Sequence, residues 1–108
     1  MTTEPAAAED VFSALADPTR RLILDQLSRR GDATATQLAD ELPVTRQAVV
    51  KHLTVLDRAG LVTGRRDGRE RRYRVRPDGL AATAHWMNEV AAQWASRLSV
   101  IKRIAEQA

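Results

Sequence analysis

Gln47, Val50, Lys51, Thr54 and Arg58 are spaced so that all five fall on one face if their segment is a helix. That face carries a long amide, cations, a hydroxyl and a branched apolar side chain, with no acid until Asp57. Amides and cations can pair with base edges in a DNA groove or grip phosphates. They do not activate a nucleophile. Two other places invite chemistry. His85 and Glu89 stand at i and i+4 and could share a metal, but a zinc site takes about four ligands and no second histidine follows. His52, between Lys51 and Leu53, has no acid, nucleophile or glycine-rich phosphate loop beside it and reads as a packing residue or a phosphate donor. The sequence holds no cysteine, which excludes disulfides, thiolate metal sites and cysteine nucleophiles. No catalytic residue, metal ligand or cofactor is assigned, and an enzyme is not expected.

The elements around these residues follow from local rules. Thr34 with Gln37 is a capping box, so a helix begins at Ala35. Leu38, Ala39 and Leu42 form its apolar face, and Pro43 stops it. Thr45 caps the next helix, which buries Val49, Leu53 and Leu56 and ends at Gly60. Two short helices over 34–60 joined by a tight turn form a helix-turn-helix, whose second helix can lie in the major groove. The alternative is a packed helix pair with a solvated face. Upstream, residues 1–8 read as a flexible tail and 9–15 as a helix with Val11, Phe12 and Leu15 apolar. Asp17-Pro18 starts another helix, which runs to about Arg29, buries Leu22, Ile23 and Leu27, and is terminated by Gly31.

Charge is segregated along the chain. From Arg46 to Arg76 there are ten Lys or Arg against three acids, while the remainder has seven against eleven. An oriented field of this kind points to nucleic acid. Within that segment the period changes to that of strands, and Asp67-Gly68 is a hairpin signal. Two antiparallel strands are expected over 62–66 and 71–76, with the tip between Asp67 and Glu70 and with Tyr73 and Val75 facing the core. Seven arginines on one hairpin exceed what is needed to keep an edge from aggregating. The segment 62–76 therefore reads as a wing that reaches along phosphates or into the minor groove.

Pro77-Asp78-Gly79 reads as a break, followed by one helix over 80–106. Leu80, Ala84, Met87, Ala91, Trp94, Leu98, Ile101 and Ala105 are spaced alternately by four and three, a heptad seam. Trp86, Val90, Val100 and Ile104 widen it. A monomer's surface helix needs one stripe, so the extra width is expected to serve a second subunit, with Leu80, Met87, Ala91, Trp94, Leu98 and Ile101 at the dimer interface; the alternative is that the helix covers only its own domain. The chain's 108 residues suit a single domain. With no apolar run near the ~20 residues that span a bilayer and an acidic start, MTTEPAAAED, neither a membrane partner nor a secretory signal is expected, and the cytoplasm is the expected location.

Several segments resemble the ArsR family of bacterial regulators: Ala14-Leu15-Ala16-Asp17-Pro18-Thr19-Arg20-Arg21, Gln47-Ala48-Val49-Val50-Lys51-His52-Leu53, Ala59-Gly60-Leu61-Val62 and Gly68-Arg69-Glu70-Arg71-Arg72-Tyr73. The resemblance runs from about Val11 to Leu80, in the family's order and spacing. It implies a winged helix-turn-helix, mainly α with a β-hairpin, of about five helices and a two-stranded wing. It also implies a homodimer that represses transcription by binding double-stranded DNA. On that reading Thr45, Arg46, Gln47, Val50, Lys51 and Thr54 face base edges and nearby phosphates. Arg69 and Arg71 work at the wing tip, while Arg65, Arg66, Arg72 and Arg74 mainly supply field. The position of Val50 is often a small polar residue in the family; valine could pack on a thymine methyl instead, which leaves the operator open. Metal-sensing members use cysteines on the first helix of the motif, absent from 34–42 here, or Asp, His and Glu on the last helix. A metal-dependent sensor, and a protein-interaction module with a basic docking face, are the rival readings. The inducing signal stays open between a small molecule, a partner protein and protein concentration alone.

Overall fold

The computed structural model describes residues 4–107. The chain folds as α1 (Ala8–Leu15), α2 (Pro18–Arg30), β1 (Ala33–Thr34), α3 (Ala35–Glu41), α4 (Arg46–Arg58), β2 (Val62–Asp67), β3 (Glu70–Val75) and α5 (Pro77–Gln107). Of the expected tail, residues 1–3 lie outside the described residues. Ala8 is fully buried as the first residue of α1 and so does not belong to the expected 1–8 tail.

Local chemistry sets most boundaries. The Asp17 carboxylate accepts from the backbone N–H of Thr19 and Arg20, and Pro18 needs no partner in the first turn of α2. Burial pushes the Asp17 carboxyl up, but these N–H groups and the nearby His52 and Arg20 outweigh it and hold its pKa below the ordinary value. The stabilisation is therefore present above the unfolded-state pKa and is lost as pH falls through the lower folded value. Thr34 Oγ1 accepts from Gln37 N while Gln37 Oε1 accepts from Thr34 N, a reciprocal capping box. Helix α4 ends in paired bonds, Gly60 N to Asp57 O and Leu61 N to Leu56 O, with Gly60 at φ +75°. That closure requires a left-handed residue and explains the glycine.

The core is one cluster built from every element of the body. Val11, Ile23, Leu27, Leu38, Val49, Leu53, Leu56, Leu61 and Val62 are fully buried, with Tyr73, Val75 and Leu80 packed partly against them. Leu22 departs from expectation at 47% exposed. Ile23 and Leu27 already define the inward stripe of α2, and Leu22 lies about 100° round from Ile23.

The sheet has three strands, not two, in the order β1-β3-β2. Ala33 and Thr34 pair antiparallel with Tyr73 and Arg72. This anchors the hairpin to the residue that caps α3, and a two-stranded ribbon gains the third strand it needs for stability. The hairpin itself runs from Val62↔Val75 to Asp67↔Glu70 and turns at Gly68-Arg69, with Gly68 at φ +63°.

Helix α5 begins at Pro77, so the expected break is its first turn. Proline is suited to that place because an N–H in the first turn has no intrahelical acceptor, so none is lost. Gly79 lies where a Cβ would come within 3.4 Å of the Gly60 carbonyl oxygen, so the first turn of α5 sits on the end of α4. The helix has 31 residues, about 46 Å at 1.5 Å per residue. The molecule measures 69 × 25 × 20 Å and has a radius of gyration of 18.7 Å, against ~13 Å for a compact chain of this size. Most of that excess is α5 projecting beyond the body. Phe12 of α1 packs on Trp86 with ring centroids 6.1 Å apart, while every residue from Trp94 to Gln107 is exposed. No helix among the described residues is long and apolar enough to cross a membrane.

The capping box can be tested directly. Thr34→Ala removes an acceptor from a nearly buried site, and the expected loss is about 1 kcal/mol, read from urea denaturation. An unchanged midpoint would mean that water replaces the hydroxyl there and that β1 alone holds the start of α3.

A candidate nucleic-acid interface

Burial of Val49, Leu53 and Leu56 leaves the opposite side of α4 to solvent, and Gln47, Val50, Lys51, Thr54 and Arg58 are all exposed there. The polar groups on this face are not equivalent. Thr45 Oγ1 accepts from Ala48 N at 3.1 Å, as the helix cap. Thr54 Oγ1 donates to the Val50 carbonyl at 3.0 Å, which turns its methyl outward. Both hydroxyls are thus engaged within the helix. Among the described residues Gln47 and Lys51 have no side-chain partner, so amide and ammonium remain available to a ligand. Arg46, on the flank, donates through Nε to Thr36 Oγ1 of α3 at 3.2 Å, which braces its side chain across the turn of the motif.

Between α3, α4 and the hairpin lies an open cleft of about 500 Å³ lined by Thr36, Gln37, Arg46, Val50, Arg69, Glu70, Arg71 and Tyr73. It joins the exposed face of α4 to the wing. The strand register sorts the wing's arginines between two faces. Thr63↔Arg74, Arg65↔Arg72 and Asp67↔Glu70 share one face; Val62↔Val75, Gly64↔Tyr73 and Arg66↔Arg71 share the other. Each face has two arginines directly opposite one another, an unfavourable pairing.

The first face compensates internally. Arg72, only 27% exposed, reaches Asp32 at 3.2 Å, Asp67 at 3.4 Å and Glu70 at 3.5 Å, and Arg65 lies 3.8 Å from Asp32. Arg72, expected among the arginines that mainly supply field, is held among three carboxylates and ties the wing to the loop before β1. The second face, towards the cleft, shows no carboxylate contact to Arg66 or Arg71 among the described residues. Arg71 lies over the Tyr73 ring at 5.7 Å, within reach of a cation–π contact. Arg69 stands at the tip, exposed. Among the described residues Arg66, Arg69, Arg71, Arg74 and Arg76 thus have no carboxylate partner, and of these Arg69 and Arg71 line the cleft.

Gly64 makes that arrangement possible. A Cβ there would come within 2.6 Å of Arg71 Nε and 2.9 Å of Tyr73 Cε1. A lone glycine inside a strand pattern is a signal of close approach, so this residue was open to sequence reasoning. Asp32 and Thr36 were not, since their partners lie far away in the chain. His85 and Glu89 pair at 2.5 Å on exposed α5, and among the described residues no three His, Cys, Asp or Glu gather to hold a metal. His52 is half-buried on the flank of α4 away from the cleft and meets Arg20 of α2.

Gly64→Ala is expected to cost roughly 1–3 kcal/mol by overpacking and to weaken binding to any duplex by displacing Arg71. Urea denaturation and binding to a random-sequence duplex check the two effects. A variant with wild-type values in both would mean that Arg71 is not held in place by the space above Gly64.

A family model described as a helix-turn-helix domain matches residues 15–65. The solved structure of an ArsR-like transcriptional regulator from Rhodococcus sp. RHA1 is 46% identical and superposes with a TM-score of 0.88, covering 95% of this chain and 94% of that one. The uncharacterized HTH-type transcriptional regulator YuzN of Bacillus subtilis (strain 168) is 51% identical over 67 residues, 56% of this chain and 73% of the relative. The transcriptional repressor SdpR of the same organism is 35% identical over 78 residues, 72% of this chain and 86% of the relative. With the helix-turn-helix, the basic wing and these likenesses in hand, the chain belongs to the ArsR family of winged helix-turn-helix proteins and is a DNA-binding regulator of transcription.

Proposed function

We propose that the chain represses transcription as a homodimer on an imperfect palindrome, without a metal cofactor and without enzymatic activity. Gln47 and Lys51 of α4 read base edges and adjacent phosphate, Val50 packs on a thymine methyl, and Arg46, Arg69 and Arg71 hold the backbone on either side of the cleft. What supports this use of the cleft is its charge: Arg66 and Arg71 oppose one another with no acid between them, while their counterparts Arg65 and Arg72 have three carboxylates. A surface left repulsive in the free protein gains most from a polyanion, because each phosphate contact relieves the repulsion and releases counterions. Arg65 and Arg74, on the other face, add to the long-range field.

Pairing of two copies is supported by α5, whose Met87, Trp94, Leu98 and Ile101 are 51%, 55%, 60% and 59% exposed along one seam. Ala91 lies between them and lets a second helix approach. Leu80, at the start of the seam, packs against the domain's own core and so contributes less to a partner. With no cysteine in the chain and a histidine–glutamate pair as the one two-ligand candidate on α5, release from DNA falls to a small molecule, a partner protein or dilution.

Two measurements test the reading. For the interface, a duplex is selected by the wild type from a randomised pool. Gln47→Ala should relax preference at one base pair per half-site, by roughly 1–3 kcal/mol, with little change on unrelated duplexes. Arg69→Ala with Arg71→Ala should weaken binding to all duplexes and lower the salt slope by about 0.9 per lost phosphate contact. Identical specificity profiles for wild type and Gln47→Ala would remove Gln47 from base reading; an unchanged salt slope would remove the wing from the DNA. For the dimer, Leu98→Glu with Ile101→Glu should abolish both self-association and binding to the selected duplex. A wild type that sediments as a monomer at micromolar concentration would sink the dimer.

A further inference from the structure

Arg20 belongs to no face described so far, yet its side chain is only 16% exposed and touches α1 and α4 as well as the cap of its own helix. Its Nε donates to the Ala14 carbonyl at 2.7 Å and its Nη2 to the Ser13 carbonyl at 3.0 Å, at the end of α1. Its Nη1 lies 3.8 Å from the Asp17 carboxylate and 3.4 Å from Nδ1 of His52 on α4. The last carbonyls of a helix lack intrahelical partners, and the forked guanidinium serves two of them while a third nitrogen remains for His52. A guanidinium has donors and no acceptor, and it stays charged. If Nη1 donates to Nδ1, that nitrogen must carry a lone pair, and the imidazole proton then sits on Nε2.

We infer that Arg20 is a positioning residue for DNA recognition: by donating to Nδ1 of His52 while gripping the end of α1, it fixes the His52 tautomer and the setting of α4 against α1. The inference rests on reading α4 as the helix that enters the groove. It gives α4 a polar tether on the flank opposite the cleft, where hydrophobic contacts alone permit small rotations. A rotation of the helix moves Gln47 and Lys51 together, since both lie on its outer face. The same guanidinium joins α4 to α1, and α1 is the element on which Trp86 of α5 leans through Phe12. The helix with the exposed apolar seam is thus connected through Phe12, the end of α1, Arg20 and His52 to the helix that faces DNA. Lysine cannot replace Arg20 here, because one ammonium lacks the planar fork that spans two carbonyls and a ring nitrogen.

The test uses the full chain. Nitrogen-15 spectra of the free protein at pH 7.5 report the imidazole tautomers, with His85→Gln assigning the signal of His52. The expected state is Nε2 protonated and Nδ1 bare in the wild type, shifting towards a tautomer mixture in Arg20→Lys. On a duplex selected by the wild type from a randomised pool, Arg20→Lys and His52→Leu should each weaken binding about tenfold. The double variant should fall no further than either single one, the non-additivity of groups that act as a unit. His52→Asn, whose Oδ1 stands near the place of Nδ1 and can accept, should bind within twofold of wild type. Thermal unfolding confirms that each variant compared is folded, and the wild-type tautomer needs no variant of the tether to be read. An Nδ1–H tautomer in the wild type, additive losses, or His52→Asn falling with His52→Leu would overturn the role. A selected duplex bound equally by wild type and Arg20→Lys would overturn it while leaving the DNA reading intact. Failure of the wild type to select any duplex would overturn the DNA reading itself, and this role with it.

Discussion

A helix that buries one stripe must leave the opposite stripe bare, and the rest of this molecule depends on how α4 is held by that constraint. Val49, Leu53 and Leu56 are fully buried, and burying side chains of this kind is worth about 1.5–3 kcal/mol each before entropy is counted. Their burial fixes which residues look outward: Gln47, Lys51, Thr54 and Arg58 are exposed because they sit across the helix from that stripe. The body is arranged to keep the stripe covered. Helices α1 and α2 bring Val11, Ile23 and Leu27 to it, α3 brings Leu38, and the start of the hairpin brings Val62. Gly60 and Leu61 close the end of α4 and place the first turn of α5 against it.

The wing shows a second constraint, electrostatic rather than apolar. A strand alternates its side chains between faces, so a run of arginines cannot all serve one purpose. Register puts Arg65 opposite Arg72 and Arg66 opposite Arg71. Asp32, Asp67 and Glu70 gather on the first pair and none gathers on the second. Acids on the first face allow the hairpin to fold against the body without repelling itself; their absence on the second leaves positive charge beside the exposed face of α4. Glu70 has a double position, since it pairs with Arg72 and also lines the cleft between Arg69 and Arg71. Its charge thus lies among the arginines of the cleft as well as on the compensated face.

What could be read from the sequence was what local chemistry decides. The Thr34–Gln37 capping box, the Asp17-Pro18 start, the Gly60 stop and the Val49, Leu53, Leu56 stripe each depend on residues within one or two turns, and each is present in the structure. The outward face of α4 was legible for the same reason. The misreadings concern distance in sequence. Strand β1 is two residues long and exists only because Tyr73 and Arg72 come to pair with it. Composition does not separate Arg72 from its neighbours; the register and Asp32 do. The contact between Arg20 and His52 spans 32 positions and has no local signature. Pro77 is ambiguous for another reason: proline both breaks a helix and suits its first turn, and only the segment before it, committed to β3, shows which applies.

The apolar surface of α5 also carries more information than its seam. Trp86, Val90, Gln93, Arg97, Val100 and Ile104 form a second stripe, again spaced by four and three, beside the Met87–Ile101 stripe. Along the first half of the helix this second stripe is half-buried at Trp86, Val90 and Gln93, where α1 lies; along the second half it is exposed, with Val100 at 42% and Ile104 at 62%. Helices in water owe most of their stability to packing of an apolar face, so a projecting half with two bare stripes is poorly supported alone. A single second helix would cover one stripe. Covering both requires a helix pair of the kind that α1 and α5 already make.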